Sequence, residues 1–247
     1  MGAYTLADGR ISPDDSFLSL LSEIWTGLGH PGTWWTGAER VAMLREARAA
    51  SECLLCAERK RAISPYAVGG AHAGSDDLSV ETVDAVHRIT TDPGRLSRRW
   101  YDELTASGVS AEQLVEMTAL LAVLTIGDTL SRACGASTLS PLPPAAAGEP
   151  SRRMTEGTVV DQAWVPMVHP DNADGELAMI YGMVEQQAGF VFNVVRSLTA
   201  VPDAMRSFIG AFLPNYDTHG PCADGTLTRS QMEVLSSTTS SLNDCFY

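Results

Sequence analysis

The residues best suited to chemistry in this chain of 247 amino acids are two cysteines, Cys53 and Cys56, separated by two residues. On a helix this spacing places both sulfurs on one side, close enough to form a disulfide. A thiolate is the reactive form of cysteine, and a helix N-terminus lowers the pKa of a thiol. Ser51 is a candidate cap for a new helix that begins near Cys53. The pair therefore predicts thiol redox chemistry.

The same two cysteines are compatible with simpler roles. Two helical cysteines also serve as small hydrophobic residues in a packed core. A zinc site needs four ligands, and the sequence holds neither a second CxxC nor an HxxxH pattern, so no metal is predicted. Covalent haem attachment needs a histidine directly after the second cysteine, where the chain has Ala57. No cofactor is predicted.

A second cysteine-bearing segment lies near the end of the chain, where Glu233 precedes Cys245 by twelve residues. Thr36, Ser110 and Thr228 each start a capping-box pattern, with Glu or Gln three residues later. In both cysteine-bearing segments the first cysteine follows the capping threonine by seventeen residues. The matched offsets predict a helical unit that is used repeatedly.

The remaining pattern predicts an all-α fold. Apolar residues recur at helical spacing in several segments, whereas only residues 158–168 show strand-like alternation. Residues 136–175 are rich in proline, which is typical of a linker or a long excursion. We therefore expect an N-terminal helical unit over residues 1–135, this proline-rich stretch, and a C-terminal helical unit over residues 176–247.

Charge and composition argue against several classes of protein. The net charge of −13 disfavours binding to nucleic acid and to anionic membrane surfaces. No apolar stretch approaches the roughly eighteen residues of a transmembrane helix, and the N-terminus lacks the pattern of a signal peptide. Five cysteines, an odd number, fit a reducing compartment better than a secreted disulfide framework. We expect a cytoplasmic protein.

A family resemblance rests on these cysteines. A glutamate twelve residues before a CxxC motif, with a histidine four residues after it, is the signature of the AhpD-like alkylhydroperoxidase group in the carboxymuconolactone decarboxylase superfamily. The chain resembles this group in incomplete copies. The front copy has Cys53 and Cys56, but Val41 occupies the glutamate position and Lys60 occupies the histidine position.

Two further copies are less complete. The middle segment matches from Glu116 to Asp128, with aspartate in place of the first cysteine. The segment from Glu233 to Cys245 resembles a copy that stops before its second cysteine and its histidine. We therefore expect a duplicated fold of AhpD-like helical units, of which the C-terminal one is truncated.

The resemblance also implies roles for these residues. Cys56 would attack a peroxide, and Cys53 would resolve the sulfenic acid as a disulfide. Glu116 is a possible substitute base if the middle helix packs on the first. Glu233 matches the glutamate of the family, and Cys245 matches a resolving cysteine.

Two histidines and a basic run allow two interpretations each. His87 lies on a predicted helix, either as a structural residue or as the imidazole missing from the front copy. His72 lies in a glycine-rich loop, which either is solvated or covers a site. The basic run at residues 59–61 either lowers the pKa of Cys56 or forms a solvated helix face.

These observations predict a thiol-dependent peroxidase or oxidoreductase. Its partners would be a small-molecule peroxide or another small substrate and a thiol reductant protein. It would form homo-oligomers, and it would bind neither nucleic acid nor membranes. One alternative is a lactone decarboxylase that does not use cysteine, and another is a non-catalytic helical scaffold with degenerate motifs. Substitution of Cys53 or Cys56 by serine separates the three hypotheses.

Overall fold

The computed structural model describes residues 3–212, 226–242 and Cys245. This part of the chain contains ten α-helices, with 57% helix and 2% strand, which confirms the predicted all-α class. The helices are α1 (Asp15–Gly27), α2 (Gly37–Ala50), α3 (Leu54–Arg61), α4 (Val80–Thr91), α5 (Arg98–Ala106), α6 (Ala111–Ala133), α7 (Gly175–Ala188), α8 (Asn193–Arg196), α9 (Pro202–Phe212) and α10 (Arg229–Leu242). Strands β1 (Thr158–Val159) and β2 (Met167–Val168) form an antiparallel ribbon.

Three helices begin with the predicted capping boxes. At the starts of α2 and α6, the N-cap side chain accepts from the third helical amide, and the side chain of that third residue accepts from the N-cap amide. At the start of α10, the Gln231 amide donates to the Thr228 hydroxyl at 3.3 Å, and the Thr228 amide donates to the Gln231 side chain at 2.8 Å. Each box satisfies two amides that the helix itself leaves unpaired.

The core is arranged around α6, which packs against α1, α2, α4 and α9. The largest fully buried apolar side chains around it are Leu21, Trp25, Leu28, Met43, Leu44 and Met117. A second cluster joins Val115 of α6 to Val201 and Met205 at the start of α9. Burying one such side chain is worth roughly 1.5–3 kcal/mol, so α6 fixes the position of α2 and α4.

By length and composition alone, the 23-residue helix α6 is also apolar enough to span a membrane. Among the described residues it is the one helix with this property. The sequence expectation overlooked it because polar residues interrupt its apolar runs. Since 67% of the most apolar stretch of this helix is buried inside the protein, its surroundings are those of a core helix.

The proline-rich stretch passes over the N-terminal helices without regular structure between residues 136 and 157. Its Ala146 amide donates to the Gly29 carbonyl at 2.8 Å, and its Pro141 carbonyl accepts from the Trp25 indole at 2.8 Å. These bonds hold the stretch against the loop that follows α1.

A break between α2 and α3 positions the two cysteines. Helix α2 ends at Ala50, and Cys53 is the N-cap of α3, so Cys56 lies in the first turn. The predicted helix start near Cys53 is therefore confirmed. The predicted cap is wrong, because the Ser51 hydroxyl donates back to the Arg48 carbonyl at 2.9 Å at the end of α2.

Candidate thiol–histidine site

Cys53 and Cys56 lie in one cluster with His72 and His87, which we call the thiol–histidine site. Nδ1 of His72 is 3.4 Å from the Cys53 sulfur and 3.9 Å from the Cys56 sulfur. Nδ1 of His87 is 3.3 Å from the Cys56 sulfur. Donor atoms of the four residues all lie within 4.8 Å of one another. The structure thus brings an imidazole to each sulfur, including the one expected from His87, whose role stays a prediction.

The packing of α4 explains how His87 reaches the cysteines. Helix α4 packs against α2, and Val83, Ala85, Val86 and His87 are buried on α4. His72 comes instead from the loop between α3 and α4, and its side chain is also buried. The loop therefore covers the cysteines, as one of the two sequence interpretations held.

Each histidine is oriented by a carboxylate on its far nitrogen. Nε2 of His87 donates to Glu46 at 3.1 Å, and Nε2 of His72 donates to Asp84 at 2.9 Å. With a proton on Nε2, the Nδ1 lone pair of each ring faces the sulfurs. Glu46 is itself fixed by the Ser75 amide at 2.7 Å. The carboxylates therefore hold both rings in one orientation, with Nδ1 towards the sulfurs.

Two arginines keep Asp84 ionised. Arg59 donates to one carboxylate oxygen, and Arg88 donates to the other at 2.7 Å. Burial alone would raise the pKa of Asp84, but His72, Arg59 and Arg88 together hold this pKa well below its usual range. The basic run after the cysteines thus acts on the site through Arg59.

The two thiols have different environments. Cys53 is half-buried, whereas Cys56 is only 5% exposed. Burial alone would raise the pKa of Cys53, but the Cys56 amide, the His72 ring and the Cys56 thiol lower it overall. Burial raises the pKa of Cys56 to about 11, although Thr91 and Arg59 act in the opposite direction. Cys53 is therefore the more acidic and the more accessible thiol.

The pKa values of the two histidines are shifted in opposite directions. Burial alone would lower the pKa of His72, but its bonds to Asp84 and Cys53 raise it overall. Burial lowers the pKa of His87 in spite of its bond to Glu46. The more basic imidazole thus lies beside the more acidic thiol, and the less basic imidazole lies beside the buried thiol.

Glu116 lies at the interface of α2 and α6. It accepts from Arg40 at 2.9 Å and from the Trp34 amide at 2.7 Å. Asp128, which replaces the first cysteine of the middle copy, accepts from Arg48 at 3.0 and 2.7 Å. Both acidic residues of the middle copy are therefore engaged by arginines, and neither is part of the thiol–histidine site.

Glu233 and Cys245 also lie apart from this cluster. Glu233 is in α10 and pairs with Arg229. Cys245 is exposed beyond the end of α10, and its amide donates to the Ser240 carbonyl at 2.9 Å. The neighbouring residues 243–244 and 246–247, which belong to the expected truncated motif, fall outside the described residues.

Cavities near the sulfurs are small. Cys56 lines a crevice of about 10 Å³, which holds about one water molecule. His72 lines a more open cavity of about 290 Å³ together with Asp84 and Arg59. A larger cavity of about 740 Å³ borders β2 and α9, and no residue of the thiol–histidine site lines it.

Sequence reasoning missed both carboxylates and left the role of His72 open. Glu46 and Asp84 belong to no spacing motif, since they reach the site from α2 and α4 through helix packing. For Glu46 the sequence did offer a signal, because this acidic residue lies among the apolar residues of α2 that are buried in the structure. Comparison of the chain with protein-family models, with curated proteins and with solved structures found no match.

Proposed function

We propose that this protein is a thiol-dependent peroxidase of AhpD-like type with Cys53 and Cys56 as its redox pair. The observation that carries the proposal is that each sulfur contacts an imidazole whose far nitrogen is bound to a carboxylate. Such a chain provides a proton acceptor or donor at the sulfur during the reaction. The duplication of helical units implied by the resemblance stays part of the proposal.

The surroundings of the sulfurs favour Cys53 as the attacking thiolate and Cys56 as the resolving thiol. This is the reverse of the roles that the resemblance implies. Susceptibility to peroxide follows thiolate character and exposure, and Cys53 exceeds Cys56 in both. The crevice at Cys56 has space for little more than a water molecule, so a peroxide would meet Cys53 first.

In the first step the proton of the Cys53 thiol passes to Nδ1 of His72, which lies 3.4 Å from the sulfur. The thiolate then attacks the terminal oxygen of a hydroperoxide, and the O–O bond breaks. The other oxygen leaves with a proton from His72 as an alcohol, and Cys53 becomes a sulfenic acid. In the second step His87 takes the proton of Cys56, and the Cys56 sulfur attacks the Cys53 sulfur. A disulfide forms, and the sulfenic oxygen leaves as water with the proton that His87 took from Cys56.

A dithiol reductant then restores the pair by thiol–disulfide exchange. Each cycle therefore converts a hydroperoxide and two reducing equivalents into an alcohol and water. We propose a dithiol protein as the physiological donor, which would attack at Cys53 because this is the more exposed of the two cysteines. The proposal requires a reducing compartment, in line with the expected cytoplasmic location.

The test is to trap the sulfenic acid with dimedone and locate it by mass spectrometry. In Cys56→Ser, peroxide should produce one adduct on Cys53, whereas Cys53→Ser should give none on Cys56. Steady-state peroxide consumption with dithiothreitol should be lost in Cys53→Ser and kept in Cys134→Ser, which changes a buried cysteine elsewhere. In Cys56→Ser any remaining turnover should depend on the dithiothreitol concentration, because the dithiol must then reduce the Cys53 sulfenic acid directly, and no intramolecular disulfide should form.

Other outcomes are equally informative. An adduct on Cys56 alone would restore the roles implied by the resemblance. Unchanged peroxide consumption in both variants would overturn the peroxidase, and lactone decarboxylation by the same variants would then support the cysteine-independent enzyme. No turnover in either assay, with oligomers retained, would support the scaffold.

A further inference from the structure

We infer that the reduced protein binds one Zn²⁺ ion through Cys53, Cys56, His72 and His87. Sequence spacing predicted no metal here, because the two histidines come from a loop and from a separate helix. Zinc binding requires only reduced thiols, so this inference does not depend on the proposed peroxidase activity.

The distances between the four side chains match a tetrahedral zinc site. Zinc binds sulfur at about 2.3 Å and nitrogen at about 2.0–2.1 Å, which puts sulfur and nitrogen ligands about 3.6 Å apart. The three sulfur–Nδ1 distances are 3.3, 3.4 and 3.9 Å. Because all four donor atoms lie within 4.8 Å of one another, small side-chain movements would complete the coordination.

The orientation of the rings points to the same conclusion. Both histidines aim Nδ1 at the sulfurs and bind a carboxylate through Nε2, Glu46 for His87 and Asp84 for His72. Ligating histidines in metal sites almost always have such a partner, which fixes the ring and increases its basicity. The arrangement therefore supplies the second layer of a metal site as well as its ligands.

The chemistry of the donors selects zinc. Two thiolates and two neutral imidazoles are a typical structural zinc set, and the two thiolate charges balance those of the ion. Carboxylate-seeking ions such as Mg²⁺ and Ca²⁺ are disfavoured by sulfur. Four protein ligands would also leave no open coordination position, which is the pattern of structural rather than catalytic zinc.

Bound zinc would hold both sulfurs that the proposed peroxidase uses. Oxidation by a hydroperoxide would consume two thiolates and two protons and give a disulfide, an alcohol, water and the free ion. Zinc and peroxide would therefore compete for the reduced site. This competition rests on the proposed function, whereas zinc binding does not.

The experiment uses the full chain, reduced with a phosphine and stripped of metal with a chelator. We expect it to bind one Zn²⁺ per chain by elemental analysis after gel filtration. Co²⁺ in its place should give thiolate-to-metal charge-transfer bands and the intense visible bands of a tetrahedral ion. These bands report the ligand set directly, without any measurement of activity.

Matched variants locate the site. Cys53→Ser and His72→Ala should weaken zinc binding by at least about 100-fold, and the positioning variant Glu46→Gln by about 10-fold to 100-fold. Cys134→Ser and His169→Ala, which change the same residue types elsewhere, should bind like the wild type. Circular dichroism of each metal-free variant checks that it is folded.

Several results would overturn the inference. These are less than stoichiometric zinc on the wild-type chain, an octahedral Co²⁺ spectrum, or unchanged zinc affinity in His72→Ala. Zinc binding without peroxide consumption would keep the metal site and remove the peroxidase. Peroxide consumption without zinc binding would do the reverse.

Discussion

Helix α2 contributes to two kinds of buried polar contact that are built from different chemical groups. Glu46 orients a histidine of the thiol–histidine site, whereas Arg40 and Arg48 pair with Glu116 and Asp128 of α6. Guanidinium groups keep their charge at any physiological pH, while imidazoles and activated thiols exchange protons near neutrality. The comparison shows that buried charge alone does not identify a reactive site, because fixed charges hold helices together and exchangeable protons allow chemistry.

The same contrast explains the position of Glu116, which the resemblance offered as a substitute base. Burial raises the pKa of Glu116, while Arg40 and the Trp34 amide act to lower it. Its carboxylate is thus committed to partners that join α6 to α2 and to the loop before α2. A role in structure follows from these contacts.

The largest effect is expected for His87→Gln, which changes the thiol–histidine site. Without an imidazole at Cys56, we expect peroxide consumption to fall by about 10²-fold to 10⁴-fold, the usual contribution of a general base. Thermal unfolding of the variant should remain cooperative. Steady-state kinetics measures the effect, with the exposed His169→Gln as control, and equal activity in the two variants would contradict the assignment.

The matching change at the ion pairs is Asp128→Ala. It leaves the Arg48 guanidinium without its carboxylate in a largely buried position, so we expect a loss of about 3–5 kcal/mol in the free energy of unfolding. Urea denaturation measures this loss. The double variant Arg48→Met/Asp128→Leu should recover much of it, and failure of the double variant to do so would argue against an unpaired charge as the cause.

A third change, Glu116→Gln, removes the charge but keeps the shape. We expect the free energy of unfolding to drop by about 1–3 kcal/mol, as for the loss of one charged hydrogen-bond partner. Peroxide consumption per folded molecule should stay within about threefold of the wild type. A tenfold or greater loss of turnover in folded protein would show that Glu116 takes part in the reaction. It would contradict a purely structural role for the Arg40–Glu116 ion pair.

The smallest expected effect is that of Glu46→Gln on turnover. The single amide oxygen can accept from His87 only by giving up the Ser75 amide, and the charge that supports the ring is gone. We therefore expect about a tenfold decrease in peroxide consumption. The free energy of unfolding should change less than in Glu116→Gln. Steady-state kinetics measures the turnover, and urea denaturation measures the free energy of unfolding. A change in the free energy of unfolding without a change in turnover would show that Glu46 has only a structural role.

The sequence predicted the features that depend on local patterns. These include the helical class, the three capping boxes and the cysteine pair at a helix start. It also offered His87 as a candidate for the imidazole that is missing at Lys60 in the front copy. All of these are properties of short segments.

The rest of the site depends on packing between segments. Glu46 and Asp84 are ordinary acidic residues until α2 and α4 pack together, and His72 is a loop histidine until that loop folds over the sulfurs. Glu116 fits the spacing of the family motif, but spacing along the chain does not show that Arg40 lies opposite it. Its role as a base stays a prediction. A single sequence does not show which side chains face one another across an interface between helices.

One consequence concerns the loop that carries His72. Between the turn at Pro65–Ala67 and α4, this loop has no helix or strand, and it is fastened through His72 on Asp84 and through the Ser75 amide on Glu46. Any event at the sulfurs that alters those two anchors would therefore change how readily the loop opens. The rate of protease cleavage or of deuterium uptake between residues 68 and 79 would then report the chemical state of the two cysteines.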